Sequence, residues 1–315
     1  MCLMVMIMNQ FSDKKVLVIG GEGFIGQHLV SKLNDFHAEV ISLGVKTRVD
    51  TIAKEYLAVD IRDKNKLEKI LKHYDFDYVF NLGGYIEHSP YSEHGRDVMD
   101  VHYVGLLNLL GQINSSKLKC FVHIGSSDEY GGAPSPQNEA LREAAISPYS
   151  AAKVAGTHLI QALARSEGFP GVVVRPFLTY GPGQDISRFI PQVISGCLNN
   201  TSFPVSEGEQ LRDFCYVDDV VQGMLLAAST KAAFGEVINI ASGIPVSVRS
   251  VIEAVKNIIG KGEPIWGAVK YRPGENMRLY ADIDKAKKIL KWQAKISLKD
   301  GLIKTANYYK SLQVY

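Results

Sequence analysis

Short apolar runs that do not alternate with polar residues recur along the first half of this chain, and stretches of helical periodicity separate most of them. The runs are KVLVIG (15–20), EVISLG (39–44), YLAVDI (56–61), YVFNLG (78–83), KCFVHIGSS (119–127) and GVVVRPF (171–177). A strand that is apolar on both faces must be covered on both faces, which is the condition of a parallel sheet flanked by helices. The intervening stretches supply such helices: FIGQHLVSKLND (24–35), KNKLEKILKHY (64–74), a long helix over 96–113 and one opened by SPYS at 147–150. The pattern predicts a doubly wound α/β fold with a parallel central sheet.

After Pro176 the regularity weakens, and Gly and Pro become frequent in YGPGQD, NNTSFPVSEGEQ and YRPGENM. Residues 13–177 read as a Rossmann-type dinucleotide domain and 178–315 mostly as a smaller C-terminal substrate lobe, with GEVINIAS (235–242) a strand able to rejoin the main sheet. A chain of 315 residues is long enough for both. The net charge of +2, without a lysine or arginine block, gives a nucleic-acid partner no support. Cys2, Cys120, Cys197 and Cys215 lie far apart with no metal-ligand spacing, so they read as thiols of a cytoplasmic protein without a metal site. The opening MCLMVMIMNQ is too short to span a membrane and lacks the basic start of a signal peptide. It reads as a frayed arm or a misplaced translation start.

Gly20, Gly23 and Gly26 form G-x-x-G-x-x-G directly after the first strand, with Phe24 and Ile25 opening the helix. That context offers a phosphate a tight turn, close backbone approach and the free N–H groups of a helix start. NAD-preferring sites usually carry an acid at the end of the second strand. Here that strand runs into ISLGVKTR, with no acid after Glu39 and with Ser42, Lys46 and Arg48 nearby. Cations there would welcome a 2′-phosphate, so NADP(H) is favoured over NAD(H), the alternative being a solvated loop.

The stretch SPYSAAK places Tyr149 and Lys153 four residues apart, on one face of a helix that Ser147 caps and Pro148 opens. A nearby ammonium favours the phenolate and helps a phenol exchange protons near neutral pH. Ahead of this pair, IGSSDEYGG (124–132) crowds hydroxyls, carboxylates and a phenol at the tip of a buried strand.

The glycine triplet, the serine-rich strand tip and Tyr-x-x-x-Lys, in that order, resemble the extended short-chain dehydrogenase/reductase family, and the likeness runs from Lys15 to about Leu302. The resemblance implies that Ser126 hydrogen-bonds the reacting oxygen, Tyr149 is the acid/base, and Lys153 holds the nicotinamide ribose and tunes Tyr149. It further implies Asp60 and Ile61 beside the adenine, with Leu82, Gly83, Gly84 and Pro176 lining the dinucleotide. EGEQLRDFCYVDDVV and YRPGENMRLYADIDKAKKIL resemble segments of the nucleotide-sugar branch, which would make Arg212 and Arg272 ligands of a sugar-nucleotide diphosphate. Two residues depart from that branch: Leu178 stands where Asn is frequent against the sugar, and His102 where Asn is usual under the cofactor.

Epimerase, dehydratase and reductase chemistry share this scaffold. In dehydratases with a Thr-Asp-Glu set, the extra acids align with Ser127 and Asp128. GSSDEYG looks closest to GSSEEYG of GDP-4-keto-6-deoxymannose reductases, which favours NADPH-dependent reduction of a 4-keto-6-deoxyhexose nucleotide. A 4-epimerase or 4,6-dehydratase with bound NAD is the alternative, and a non-catalytic dinucleotide sensor the reading from another class. Relatives are usually homodimers through a helix bundle that includes the Tyr149 helix.

Overall fold

The computed structural model describes residues 2–47, 49–271 and 275–312. Its strands are β1 (Lys15–Ile19), β2 (Glu39–Gly44), β3 (Glu55–Ala58), β4 (Tyr78–Asn81), β5 (Cys120–Ile124), β6 (Gly171–Pro176), β7 (Leu178–Tyr180), β8 (Ser202–Pro204), β9 (Leu211–Tyr216), β10 (Val237–Ile240), β11 (Pro245–Ser247), β12 (Glu263–Ile265) and β13 (Arg278–Leu279). Seven of them form one sheet in the order β10-β6-β5-β4-β1-β2-β3, with every pair parallel. The chain winds from β1 to β3 on one side and then crosses to β4 on the other. The order therefore reverses between β1 and β4, where doubly wound folds open a crevice at the carboxyl ends of the strands.

Alternate residues of each strand serve different cores. Val16, Val18, Phe80 and Val122 pack with Leu29 and Leu33 of the helix Phe24–Asp35 and with Leu225 of the helix Val217–Ser229. Leu17, Ile19, Val79 and Phe121 face the opposite side, against Leu67, Leu106 and Ile160. Burial on both faces is the physical reason these strands read as unbroken apolar runs.

The remaining strands build smaller sheets beside the main one. β9 pairs with β7, β11 and β13, and β8 pairs with β12. Tyr180, Ile194, Phe214, Val251 and Leu302 form the core of this region.

Two expectations are corrected. The opening stretch is no frayed arm: Cys2–Phe11 is a helix, Ile7 and Phe11 are buried, and the Phe11 ring lies 4.6 Å from that of Tyr78. A short apolar run without a visible partner reads like a loose end, and here the partner is the sheet's own flank. The helix expected over 96–113 runs instead over 91–110, where wide five-residue turns at Tyr91–Gly95 and Asp100–Val104 alternate with ordinary helix. No helix among the described residues is long and apolar enough to cross a membrane.

Candidate active site

The glycine turn sits at the tip of β1. Gly20 has φ +75°, a conformation that favours glycine, and its N–H donates to the Leu43 carbonyl of β2 at 2.7 Å. The Gly23 N–H donates to the Gly20 carbonyl at 3.0 Å, and a Cβ on Gly26 would overlap that same carbonyl. No side chain caps the helix that follows Gly23. Its first N–H groups, at Phe24, Ile25 and Gly26, therefore lie at a bare, partly positive helix end. A cleft of about 630 Å³ runs from this turn along Leu82, Gly83 and Gly84 to Ser126, Tyr149 and Lys153. Bare glycine backbone at one end and a buried ammonium at the other fit a dinucleotide: the turn would take its pyrophosphate and Lys153 its second ribose.

The reacting end is built by β5 and the helix Pro148–Glu167. Ser147 caps that helix by accepting from Ser150 N, and Pro148 opens it, which sets the phase that turns Tyr149 and Lys153 inward. Lys153 Nζ donates to the Ile124 carbonyl at 2.9 Å and lies 5.8 Å from the centre of the Tyr149 ring. Burial pushes the Lys153 ammonium down to about 8, opposed by the negative charge of Glu129. Burial pushes the Tyr149 phenol well above its ordinary value, while the hydrogen bond from Ser126 pulls it down and the charges of Asp128 and Glu129 push it up. The ammonium that favours the phenolate therefore works against the burial of the ring.

Ser126 begins a single tight turn over Ser127–Tyr130 and accepts from Asp128 N at 3.1 Å. Behind it lies a charged group that the sequence pattern does not reveal. Glu129 is fully buried and accepts from Ser126 N at 2.8 Å, Thr157 Oγ1 at 2.7 Å and Arg175 Nη2 at 2.6 Å. Arg175, equally buried, also pairs with Glu143 at 2.7 Å and stacks on Tyr130. The two carboxylates of SSDEYG therefore part ways. Glu129 holds the turn from behind, and Asp128 faces the cleft.

Burial holds the Asp128 carboxyl above its ordinary range, with His88 and Arg212 pulling the other way. His88 Nε2 lies 3.5 Å from Asp128 Oδ2, and its ring meets Tyr149 edge-on at 5.6 Å. The loop that presents His88 is folded by Glu87, whose Oε1 accepts from the N–H groups of His88 and Ser89. His102 is a buried, hydrogen-bonded ring: its Nε2 lies 2.8 Å from the Tyr85 carbonyl, and burial together with the Lys153 charge pushes it down to about 3. His123, under the same floor, packs against Asn81 at 3.3 Å and is held neutral by burial. No spacing in the sequence marks His88, Glu129, Arg175 or His123. Only the fold brings them together.

The sequence family described as NAD dependent epimerase/dehydratase matches residues 16–241, more than half of the chain. The chain belongs to this family. It is 32% identical over 311 residues to a protein of Methanocaldococcus jannaschii described as a putative UDP-glucose 4-epimerase, covering 94% of this chain and 98% of that one. It is 29% identical over 329 residues to a dTDP-glucose 4,6-dehydratase of Haemophilus influenzae, covering 93% and 97%. Among solved structures it superposes on the UDP-glucose 4-epimerase of Thermotoga maritima with a TM-score of 0.86 at 28% identity, over 95% of this chain and 99% of the other. It superposes similarly on the UDP-glucuronic acid 4-epimerase of Bacillus cereus, in complex with UDP-glucuronic acid and NAD, with a TM-score of 0.84 at 28% identity, over the same 95% and 99%.

For this epimerase/dehydratase family member the reductase expectation finds no support among these relatives, which are described as 4-epimerases, one of them putative, and a 4,6-dehydratase. The likeness of GSSDEYG to GSSEEYG rests on the buried Glu129 as much as on the residues facing the cleft, so it carries little about the reaction. Most of the expected site residues do line the cleft, including Ser127, Pro176 and Leu178. Others do not. Ser42 is fully buried, with its hydroxyl directly under Gly21 and closed off from any ribose. Asp60 is held by Arg62 at 2.7 Å, and Ile61 is buried against Gly105. Lys46 is exposed and outside the cleft, and Arg48 and Arg272 lie outside the described residues. Arg212 is not part of the lining; it pairs with Glu275 and donates to the Asn276 carbonyl at 2.7 Å, and its charge still reaches Asp128 in the cleft.

Proposed function

We propose that this protein is a nucleotide-sugar 4-epimerase that keeps NAD bound through its catalytic cycle. The observation that carries the reading is the convergence of Ser126, Tyr149 and Lys153 at the end of a cleft that begins at the glycine turn. A bound nicotinamide supplies the hydride acceptor and donor. Ser126 and Tyr149 meet the sugar O4. As the phenolate, the form that the Lys153 ammonium favours, Tyr149 takes the O4 proton as hydride leaves C4 and returns it when hydride comes back on the opposite face, so protons and electrons balance over the cycle. Lys153, nearly fully buried, supplies a fixed positive charge beneath the phenol at neutral pH. The substrate is a nucleotide-diphosphate sugar, as in the named relatives. A homodimer through the helical stretch 91–110 is part of the reading, supported by the exposed Tyr91, Val104 and Leu107.

One observation favours a second reading, a 4,6-dehydratase. That chemistry needs proton transfer beyond O4, and Asp128 with His88 stands at the edge of Tyr149. Two measurements separate the readings. The purified protein is denatured and its released nucleotide identified, and nucleotide sugars incubated with the native protein are followed by NMR. Near-stoichiometric NAD with inversion at C4 is the expected result. A 4-keto-6-deoxy product means the dehydratase. A protein that arrives empty and consumes NADPH returns the reading to a reductase.

A further inference from the structure

Adenosine specificity in this fold is set where the glycine turn meets the end of β2, and the sequence places no acid on β2 there. The structure supplies one from the turn itself. Glu22, between Gly21 and Gly23, is half-buried, and its Oε1 accepts from Thr51 Oγ1 at 2.5 Å. Thr51 belongs to the loop that follows β2, and its hydroxyl oxygen in turn accepts from Ala53 N at 3.1 Å. β1 and β2 lie side by side in parallel register, with Ile19 opposite Leu43, so the turn and this loop sit next to each other at the carboxyl ends of the strands. Gly21 rests directly on Ser42, which seats the turn flat against β2. A dinucleotide held by the Gly20–Gly26 turn would bring its adenosine ribose toward that junction.

We infer that Glu22 is a specificity-determining residue that selects NAD over NADP. The inference rests on the reading that the cleft holds a nicotinamide dinucleotide. An ionised carboxylate offers about four acceptor sites, and Thr51 uses one of them, so a ribose 2′-hydroxyl finds an acceptor at Glu22. A 2′-phosphate, carrying about −1.5 to −2 charge at neutral pH, meets a carboxylate held in place by a loop. Lys46 stands against this, but it is exposed and its charge is screened by water and salt. The preference for NADP(H) drawn from Lys46 and Arg48 is thereby reversed.

The test is direct binding, without turnover. Nucleotide-free protein is titrated with NAD+ and with NADP+ by calorimetry, and the nucleotide carried by protein fresh from cells is identified in parallel. The wild type is expected to bind NAD+ at least about tenfold more tightly, the size of one charged hydrogen bond. Glu22→Gln should narrow that ratio several-fold, and Glu22→Arg should favour NADP+. A wild type that prefers NADP+, or a Glu22→Gln protein with an unchanged ratio, overturns the inference. Should neither nucleotide bind the folded wild type, the dinucleotide reading falls, and this inference with it.

Discussion

At the scale of single residues, the cleft is a place where burial competes with charge. Tyr149 lies 4% exposed between the rings of His88 and His102, and burial raises its phenol while the hydrogen bond with Ser126 lowers it. Removing its hydroxyl takes away the group that exchanges the O4 proton. Tyr149→Phe is expected to lower turnover by about 10²–10⁴-fold while the protein still carries its nucleotide, as read by the nucleotide released on denaturation. Lys153 carries the pH dependence. Its ammonium, pushed down to about 8 by burial, is charged below that pH and neutral above it. The kcat/KM profile should therefore fall on the alkaline side near pH 8, and Lys153→Met should abolish that limb along with most of the activity. A flat profile up to pH 10 would remove the ammonium from the mechanism. The Tyr149–Lys153 pair was legible in the sequence because helical spacing alone puts both on one face. Their resting charge was not, because it depends on burial that no spacing records.

At the scale of elements, β5 ends in a turn that is aimed by a buried ion pair. Arg175 on β6 reaches Glu129 on the turn and Glu143 beyond it, and Glu129 in turn holds Ser126 N and Thr157. Residues 46 positions apart meet only once β5 and β6 are paired, so the sequence shows two ordinary charges where the structure has one network. Breaking a buried pair from one side leaves the other charge unpaired in a dry interior. Arg175→Met is expected to cost about 3–5 kcal/mol, measured as a lower urea midpoint. The double variant Arg175→Met with Glu129→Gln should recover part of that loss, since no uncompensated charge then remains on the turn. Equal stability of the single and double variants would mean that Glu129 is not paying a desolvation cost. The glycine turn is the opposite case. Its role was readable from three glycines placed between a strand and a helix, because the constraint is local.

At the scale of the whole molecule, the parallel sheet was legible because burial on both faces writes itself into every strand. The N-terminal helix was not, because its apolar side is explained only by the surface it covers. His28 shows the same dependence on distant partners. It lies on the helix behind the glycine turn, with Nδ1 3.1 Å from Asp218 and Nε2 2.9 Å from the Pro182 carbonyl. Both ring nitrogens face acceptors, so only the imidazolium can donate to both. Burial opposes the charge, but Asp218 and Pro182 outweigh it and raise the pKa above 6.5. The cation thus ties the dinucleotide helix to the helix Val217–Ser229 and to the turn after β7. A raised folded-state pKa means the stabilisation is fully present below the unfolded value of about 6.5 and is lost as pH rises through the folded one. His28→Gln should therefore lower the urea midpoint more at pH 5.5 than at pH 9, where the wild-type ring is neutral and can donate to only one partner. The same loss at both pH values would mean that His28 joins these elements by packing, without its charge.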